Sequence, residues 1–415
     1  MNTNQTLREA IPQILRCLEE YQYSKEYLAT LKRHFNRVVS LYEKNGVFTY
    51  EPGQYQQFLS CIEQERLDKK LRIDLFWYYR KCAYFIDEFF RCGSIHPKML
   101  VRNNKEILSK DFNEMLERYL DSLKFNISKS TIQERRMAIC RYLRYLQSQN
   151  HNSFESVSVN DVQRYFMLLT TEISNRTLNQ NRLHIRQFHH FLFDKGIFSP
   201  EWISFLDFHI VVPRKIQGYL SFDETNSFMQ EIDRSTGSGK RDYAIISLVK
   251  TTGLRGGDIV DLNLSDIDWG QGIITITQKK TGVKIQLPLL FETGEAIKDY
   301  ILNGRPQTDS KKIFVRINAP YTPLQTTASL DAILAKYQQK VNFDKKPWDG
   351  KAFHGARRGL GRELILSDVP VTTVTQILGH SNLDSTKPYI MLNTNELKEC
   401  ALDFKDIPLK RGELV

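Results

Sequence analysis

Apolar residues in the first half of the chain recur with the period of an α-helix. In STIQERRMAICRYLRYLQ the apolar positions at i, i+3, i+4 and i+7 are Ile139, Tyr142, Leu143 and Leu146. In SNRTLNQNRLHIRQFHHFL a similar stripe is formed by Ile185, Phe188 and Leu192. Ser130 and Ser174 stand near the start of each segment, and serine is a favoured N-cap residue. The pattern predicts amphipathic helices that each bury one face.

The same half of the chain contains a weak internal repeat. YSKEYLATLKRHFNRVVSLYEKNG matches ISKSTIQERRMAICRYLRYLQSQN, with Ser24 answering Ser128 at a spacing of 128 − 24 = 104. FFRCGSIHP and FLFDKGIFSP follow, with Gly93 answering Gly196 at 196 − 93 = 103. The nearly constant spacing predicts two small helical domains related by duplication, and the alternative is a chance likeness of two helix pairs. The two predicted domains are residues 1–105 and 106–208.

Beyond Phe208 the pattern changes. Residues 209–218 carry a proline, a glycine and basic residues, which is typical of a linker. In GIITITQKKTGVKIQLPL, β-branched residues alternate over Ile273–Thr277 and Val283–Leu287 around Lys-Lys-Thr-Gly, which predicts a β-hairpin. The chain is therefore predicted to be multidomain and mainly α, with a mixed α+β C-terminal domain that holds a small antiparallel sheet.

The composition of the chain narrows the classes of molecule that it can bind. The formal charge of +10 and the isoelectric point near 9.1 favour a polyanion, either nucleic acid or an acidic membrane surface. The membrane is disfavoured, because no apolar run approaches the ~20 residues that span a bilayer and the N-terminus lacks the features of a signal peptide. Six scattered cysteines without a Cys-x-x-Cys pair indicate reduced, mostly buried thiols of a cytoplasmic protein, and give no reason to expect a metal.

Basic residues accompany two turns of the C-terminal half. In TTGLRGGDIVDL a helix runs into Gly253 and Arg255 follows, where neighbouring glycines would let the guanidinium approach a ligand. Asp258 could orient that arginine or cap the next helix. At the hairpin tip, Lys279 and Lys280 are each either a solvated charge or an ammonium that reaches a leaving oxygen.

Two histidines, an arginine and a tyrosine follow near the C-terminus. In HGARR, His354 and Arg357 are three residues apart, so one helix face can present both to the same phosphate. In LGHSNLDSTKPY, His380 follows a glycine that can end the preceding helix, and Tyr389 lies 389 − 380 = 9 residues beyond it. Taken singly, each residue also fits an ordinary core or surface position.

The order of these residues resembles the tyrosine recombinase, or lambda-integrase, family. That family places an arginine in TGxR, a lysine in a β-hairpin, then HxxR, LGH and a tyrosine a few residues later. The matching residues are Arg255, Lys280, His354, Arg357, His380 and Tyr389. The resemblance implies a catalytic domain over residues 219–395 and a SAM-like core-binding domain over 106–208. Residues 1–105 carry no strong family motif.

The resemblance implies site-specific DNA recombination through a covalent 3′-phosphotyrosine intermediate and a Holliday junction, with integration or excision of a mobile element as the setting. Tyr389 would be the nucleophile, and Arg255 and Arg357 would clamp the non-bridging oxygens. Lys280, which precedes the Thr-Gly turn, would protonate the 5′ oxygen, with Lys279 as its competitor. No metal, ATP or other cofactor is implied.

The remaining site residues have supporting roles. His354 would take up the tyrosine proton, His380 would hydrogen-bond a non-bridging oxygen, and Asp258 would hold the site together. Basic helices would contact the DNA backbone, although each arginine also fits a solvated face. The candidate DNA-binding residues are Arg136, Arg176, Arg182 and Arg186.

The implied partners are double-stranded DNA recombination sites, three further protomers in a homotetramer on two such sites, and a directionality factor. The resemblance also implies that the protein is located in the cytoplasm, associated with the nucleoid, in a bacterial or phage-type context. Residues 396–415 would dock on a neighbouring protomer, or fold back on their own domain. Two rival functions are a type IB topoisomerase, which shares the chemistry, and a DNA-binding protein whose active site has decayed.

Overall fold

The computed structural model describes most of the chain as two units. The described residues are 5–51, 53–95, 108–212, 217–346 and 349–380, with Asn382 and Thr386. The first unit combines Met1–Leu100 with Ile216–Val415, and the second is Val101–Lys215. Among the described residues no helix is long and apolar enough to cross a membrane.

The described residues in the N-terminal part of the first unit include four helices. They are α1 (Leu7–Glu20), α2 (Lys25–Lys44), α3 (Gln54–Leu67) and α4 (Ile73–Cys92). Thr6 and Glu9 form a capping box at the start of α1, and Ser24 caps α2 through its hydroxyl. The apolar faces of the four helices meet in one core, in which Phe35 and Phe85 are fully buried.

The described residues of the second unit include four long α-helices and a short one. They are α5 (Lys110–Ser122), α6 (Lys129–Ser148), α7 (Val159–Glu172), α8 (Asn175–Asp194) and α9 (Glu201–Ser204). Both predicted stripes are confirmed, since all seven of their residues are fully buried. Ser174 caps α8 as predicted. Ser130 as the cap of α6 is wrong: Ser128 accepts the backbone N–H of Thr131, because the turn after Leu123 starts the helix two residues earlier.

In the C-terminal part of the first unit, the described residues include seven helices that share one core. They are α10 (Phe222–Gln230), α11 (Gly237–Thr252), α12 (Gly256–Asp261), α13 (Phe291–Asn303), α14 (Thr327–Lys340), α15 (Phe353–Leu366) and α16 (Val371–Ile377). The central helix is α11, which packs against α13 and α15. Its residues from Ala244 to Val249 are all buried, as expected of a helix covered on every side.

A three-stranded antiparallel sheet of β1 (Ile267–Asp268), β2 (Ile273–Thr277) and β3 (Lys284–Pro288) lies beside these helices. The predicted hairpin is confirmed, with Thr277 paired to Lys284 next to the turn. Ile274 and Ile276 bury the inner face of β2. The two-residue β1 was too short for its pattern to show. The predicted fold class, mainly helical with a small antiparallel sheet, is confirmed.

The cysteines correct one expectation. The five that the structure describes, Cys17, Cys61, Cys82, Cys92 and Cys140, are free thiols. The prediction that most are buried is wrong for these five, because only Cys82 is buried while Cys61 and Cys92 are exposed. Cys61 lies on the outer face of α3 and Cys92 at the exposed end of α4. The position of a cysteine on its helix therefore decides its burial more than the apolar character of the residue does.

Candidate active site

Arg255 lies in the turn between α11 and α12. The helix ends at Gly253, whose φ is +62°, and a Cβ there would lie 2.9 Å from two leucine side chains. The guanidinium of Arg255 donates to Oε1 of Gln278 and, over 3.2 Å, to the carbonyl oxygen of Gly379. Because of the positive φ and the two close leucines, this turn requires glycine at position 253. A side chain at Gly257, which was also predicted to need glycine, would meet open space.

Arg357 is anchored by the same two turns. It lies on α15 with only 1% of its surface exposed. Its guanidinium donates to the carbonyl oxygens of Gly253 and Leu378, each over 2.5 Å. A carbonyl oxygen orients a guanidinium without cancelling its charge. The fold therefore brings Arg255 and Arg357 together at the ends of α11 and α16 as positive charges.

His354 lies beside this pair, one turn before Arg357 on α15. Desolvation and the cations Arg358, Arg357, Arg255 and Lys280 lower the pKa of His354 to about 4. Arg357 is buried while His354 is exposed, and the expectation that both reach the same phosphate stays a prediction. At neutral pH His354 is an uncharged imidazole that can accept a proton.

His380 stands after Gly379, which ends the α16 turn with φ +60° as predicted. Desolvation, followed by Arg357 and Arg255, lowers the pKa of His380 to about 4. Its Nδ1 lies 2.8 Å from Oγ1 of Thr386, which lies 2.9 Å from Oγ1 of Thr375. The imidazole is thus uncharged at neutral pH and held by a chain of two hydroxyls.

That chain of hydroxyls determines which nitrogen of His380 carries the proton. Thr375 donates its hydroxyl proton to the carbonyl oxygen of Val371, over 2.7 Å. Thr386 must then donate to Thr375, so Thr386 can only accept from Nδ1–H of His380. In the neutral ring, Nε2 is the unprotonated nitrogen. Hydrogen bonding from Nε2 to a phosphate oxygen, the role expected of His380, requires the ring to take up a proton first.

The two hairpin lysines differ in their surroundings. Lys279 forms an ion pair with Asp261, and its backbone N–H donates to Oδ1 of Asp258 over 3.2 Å. Lys280 is exposed next to the turn and close enough to His354 to lower its pKa. Among the described ion pairs Lys280 has no carboxylate partner. These contacts favour Lys280 over Lys279 as the cation that faces the site.

Gln278 is a site residue that the sequence analysis missed. It is fully buried at the base of the hairpin. Its Oε1 accepts from Arg255 and from Oγ1 of Thr281, and its Nε2 donates to the carbonyl oxygen of Leu378 over 3.3 Å. A Cβ on Gly379 would lie within 2.6 Å of the Gln278 amide, so glycine is required there. A single glutamine at a strand end carries no local pattern that could have revealed this role.

Asp258 is buried and bonds the backbone of the hairpin rather than the side chain of Arg255. Its Oδ2 has no hydrogen-bond partner among the described residues. Desolvation raises the pKa of Asp258, while the Lys279 N–H, Arg255 and Arg357 act in the opposite direction. The carboxylate therefore fixes the hairpin against α12.

Several expectations concern residues elsewhere. Tyr389 and the tail 396–415 lie outside the described residues, so their predicted roles stay predictions. Within the described part of the chain, no cluster of three or more His, Cys, Asp and Glu side chains is placed to hold a metal.

The four candidate DNA-binding arginines lie in the second unit, and three make contacts within it. Arg136 forms two bonds to Glu117, at 2.6 and 2.7 Å. Arg182 donates to the carbonyl oxygen of Leu206 and to Oδ1 of Asn179. The remaining two are Arg186, paired with Asp207 at 2.7 Å, and Arg176, which is exposed.

Comparison with known sequences identifies two regions of the chain. The sequence model of the phage integrase family matches residues 218–396. The model of the phage integrase N-terminal SAM-like domain matches residues 116–196. Together they cover the hairpin, both arginine turns and most of the second unit.

Individual relatives agree with these matches. The integrase/recombinase y4gC of Sinorhizobium fredii is 37% identical over 169 residues, which is 85% of that protein and 40% of this chain. The tyrosine recombinase XerC of Bacillus pumilus is 25% identical over 318 residues, 99% of that protein and 74% of this chain. A lambda integrase tetramer bound to a Holliday junction shares the fold, with a TM-score of 0.54 and 18% identity over 77% of this chain and 87% of that one. The chain belongs to the phage integrase family of tyrosine recombinases.

Proposed function

We propose that this site-specific recombinase breaks one DNA strand at a time with Tyr389, and that the described cluster stabilises the phosphorane-like transition state. The observation that carries this proposal is the pair Arg255 and Arg357, whose guanidiniums donate to backbone carbonyl oxygens of the same two turns. A tyrosine oxygen that attacks phosphorus forms a phosphotyrosine ester, and the 5′ hydroxyl leaves. The reverse attack by a 5′ hydroxyl reseals the strand, so no energy source is needed.

Both arginines meet the charge that develops on the non-bridging oxygens. They are fixed before DNA arrives, so little reorganisation is required at the moment of reaction. Removing one such donor typically costs ~10²–10³ in rate. The reaction is expected to run without a metal ion or ATP, because the guanidiniums supply the positive charge.

Proton transfer is divided among three residues. Lys280 gives a proton to the leaving 5′ oxygen, since it is the hairpin lysine without a described carboxylate partner. His354, neutral and near the surface, accepts the proton of the tyrosine. His380 takes up a proton when the phosphate binds, and its Nε2–H then donates to a non-bridging oxygen while Nδ1–H keeps its bond to Thr386.

Recombination requires more than one active site. We propose a homotetramer on two DNA sites that passes through a Holliday junction, with the tail 396–415 docked on the neighbouring protomer. Support comes from the lambda integrase tetramer on a Holliday junction, whose fold this chain shares, and from an apolar stripe in the tail. The stripe consists of Leu397, Ala401 and Phe404. Integration or excision of a mobile element, with a directionality factor, is the proposed setting.

Covalent capture tests this function and finds the target. The protein is incubated with fragments of genomic DNA in EDTA, and fragments that remain attached after denaturation are sequenced. We expect a single family of sites, and no captured DNA with Tyr389→Phe, which loses one oxygen but keeps DNA affinity. Capture by the phenylalanine variant would place the nucleophile elsewhere. Strand exchange between two captured sites distinguishes a recombinase from a topoisomerase that reseals the same strand.

A further inference from the structure

The two N-terminal helix sets follow the same plan. Helices α1 to α4 have 14, 20, 14 and 20 residues, and α5 to α8 have 13, 20, 14 and 20. In each set a serine hydroxyl caps the second helix, Ser24 in one and Ser128 in the other. Two residues after each of these helices the backbone is left-handed, at Gly46 (φ +78°) and Asn150 (φ +68°). The repeat seen in the sequence thus extends to the helix order and the turns.

The buried faces agree in register as well. Adding 104 to buried positions 35, 38, 39 and 42 of α2 gives 139, 142, 143 and 146, all buried in α6. Adding 102 to buried positions 76, 79, 82, 83, 86 and 87 of α4 gives six positions that are all buried in α8. Equivalent helices therefore bury largely equivalent faces, and α4 in addition buries Tyr84, Phe85 and Glu88, whose counterparts in α8 are not buried.

The outward face of α2 is cationic. Arg33, Arg37, Ser40 and Lys44 stand at i, i+4, i+7 and i+11, opposite the buried positions. We call Arg33, Arg37 and Lys44 the α2 stripe. Its three side chains are exposed, and among the described ion pairs none of them has a carboxylate partner. The same register places Arg141 of α6 at the position of Arg37.

An open groove of about 410 Å³ runs beside the α2 stripe. Arg37 and Lys44 line it together with Asn36 and Ser40, Glu65 is the one acidic residue among its lining side chains, and Leu41, Leu71 and Tyr79 complete the lining. The positive potential also acts on His34, whose pKa is lowered by burial and then by Arg37 and Arg33. Cations and small polar groups along a groove suit a row of phosphates.

We propose that residues 5–95 are a second copy of the SAM-like fold, and that the α2 stripe binds the backbone of duplex DNA. The proposal rests on the proposed function, in which the chain acts on duplex DNA. Contacts from long, flexible cations position the protein without reading sequence. This surface would extend the grip on DNA beyond that of the second unit.

The salt dependence of DNA binding tests the stripe on the full chain. The probe is a fluorescent duplex of arbitrary sequence and about 60 base pairs, titrated at several salt concentrations. Each phosphate contact contributes about 0.9 to the slope of log affinity against log salt. The variant Arg33→Gln/Arg37→Gln/Lys44→Gln should lower the slope by about 2 to 3.

A matched control separates contact from net charge. Arg16→Gln/Lys25→Gln/Lys69→Gln removes three exposed cations of the same domain that do not line the groove and have no carboxylate partner among the described ion pairs, and its slope should stay that of the wild type. Arg33→Lys/Arg37→Lys keeps the charges and should keep the slope, which guards against loss through misfolding.

Equal slopes for the stripe variant and the wild type, or equal reductions in stripe variant and control, would overturn the α2 stripe as a DNA surface. Covalent capture distinguishes this failure from that of the proposed function. If the wild-type protein captures DNA and the stripe variant keeps the wild-type slope, only the DNA-binding role of the α2 stripe is refuted. Wild-type protein that captures none refutes the function itself.

Discussion

Replacing Gln278 with alanine tests whether this buried amide positions Arg255 for catalysis. The side chain makes three hydrogen bonds, to the guanidinium of Arg255, to Thr281 and to the carbonyl oxygen of Leu378. A hydrogen bond to a charged group contributes about 1.5–3 kcal/mol. If that loss falls on the transition state, at about 1.36 kcal/mol per tenfold, cleavage slows by roughly 10- to 150-fold.

The assay is single-turnover cleavage of a nicked substrate that carries the captured site, which isolates the first strand break from religation. Gln286→Ala is the matched control, because Gln286 is exposed on β3 and bonds only weakly to Thr275, over 3.4 Å. It should cleave at the wild-type rate. DNA affinity should be unchanged in both variants, so the defect appears in the rate and not in binding.

A methylphosphonate at the scissile position distinguishes positioning from general damage. This linkage lacks one charged oxygen, so its cleavage depends less on both guanidiniums. The defect of Gln278→Ala relative to wild type should therefore shrink on the methylphosphonate. A wild-type rate on the ordinary phosphodiester, or an equal defect on both substrates, would refute the positioning role.

Four further predictions follow from the site and the tail. Cleavage by Lys280→Ala should be rescued by a 5′-bridging phosphorothiolate, whose sulfur leaves without a proton, more than cleavage by Lys279→Ala; equal rescue would leave the acid unassigned. Cleavage should proceed in EDTA without ATP, and a strict need for magnesium would contradict the arginine clamp. Deleting 396–415 should leave a protein that binds one DNA site but forms no two-site complex in sedimentation, and unimpaired strand exchange would rule out docking. Between pH 6.5 and about 4 the unfolded chain binds a proton at the His380 position more readily than the folded one, so stability falls as pH falls. Over that range the melting temperature of His380→Gln should fall less than that of the wild type. Equal falls would show that the pKa of His380 is not lowered in the folded protein.

The local pattern of apolar and polar residues was sufficient to predict the helices and the hairpin. Helical stripes such as Ile139 to Leu146 and the alternating runs of the hairpin follow from the 3.6- and 2-residue periods, which need only neighbouring residues. Resemblance to a known order of residues then located Arg255, Arg357 and both histidines. Burial of individual side chains was less certain, as the exposed Cys61 and Cys92 show.

Tertiary structure decided how the site is held. Gln278 contacts Leu378, which is 100 residues away, and Arg357 bonds the turn at Gly253, 104 residues away. A sequence encodes such contacts only through the packing of whole helices, because no periodicity links positions that far apart. The residue types proposed for phosphoryl transfer are thus determined by the sequence alone, whereas their charge state, anchoring and orientation arise only when α11, α15, α16 and the hairpin meet.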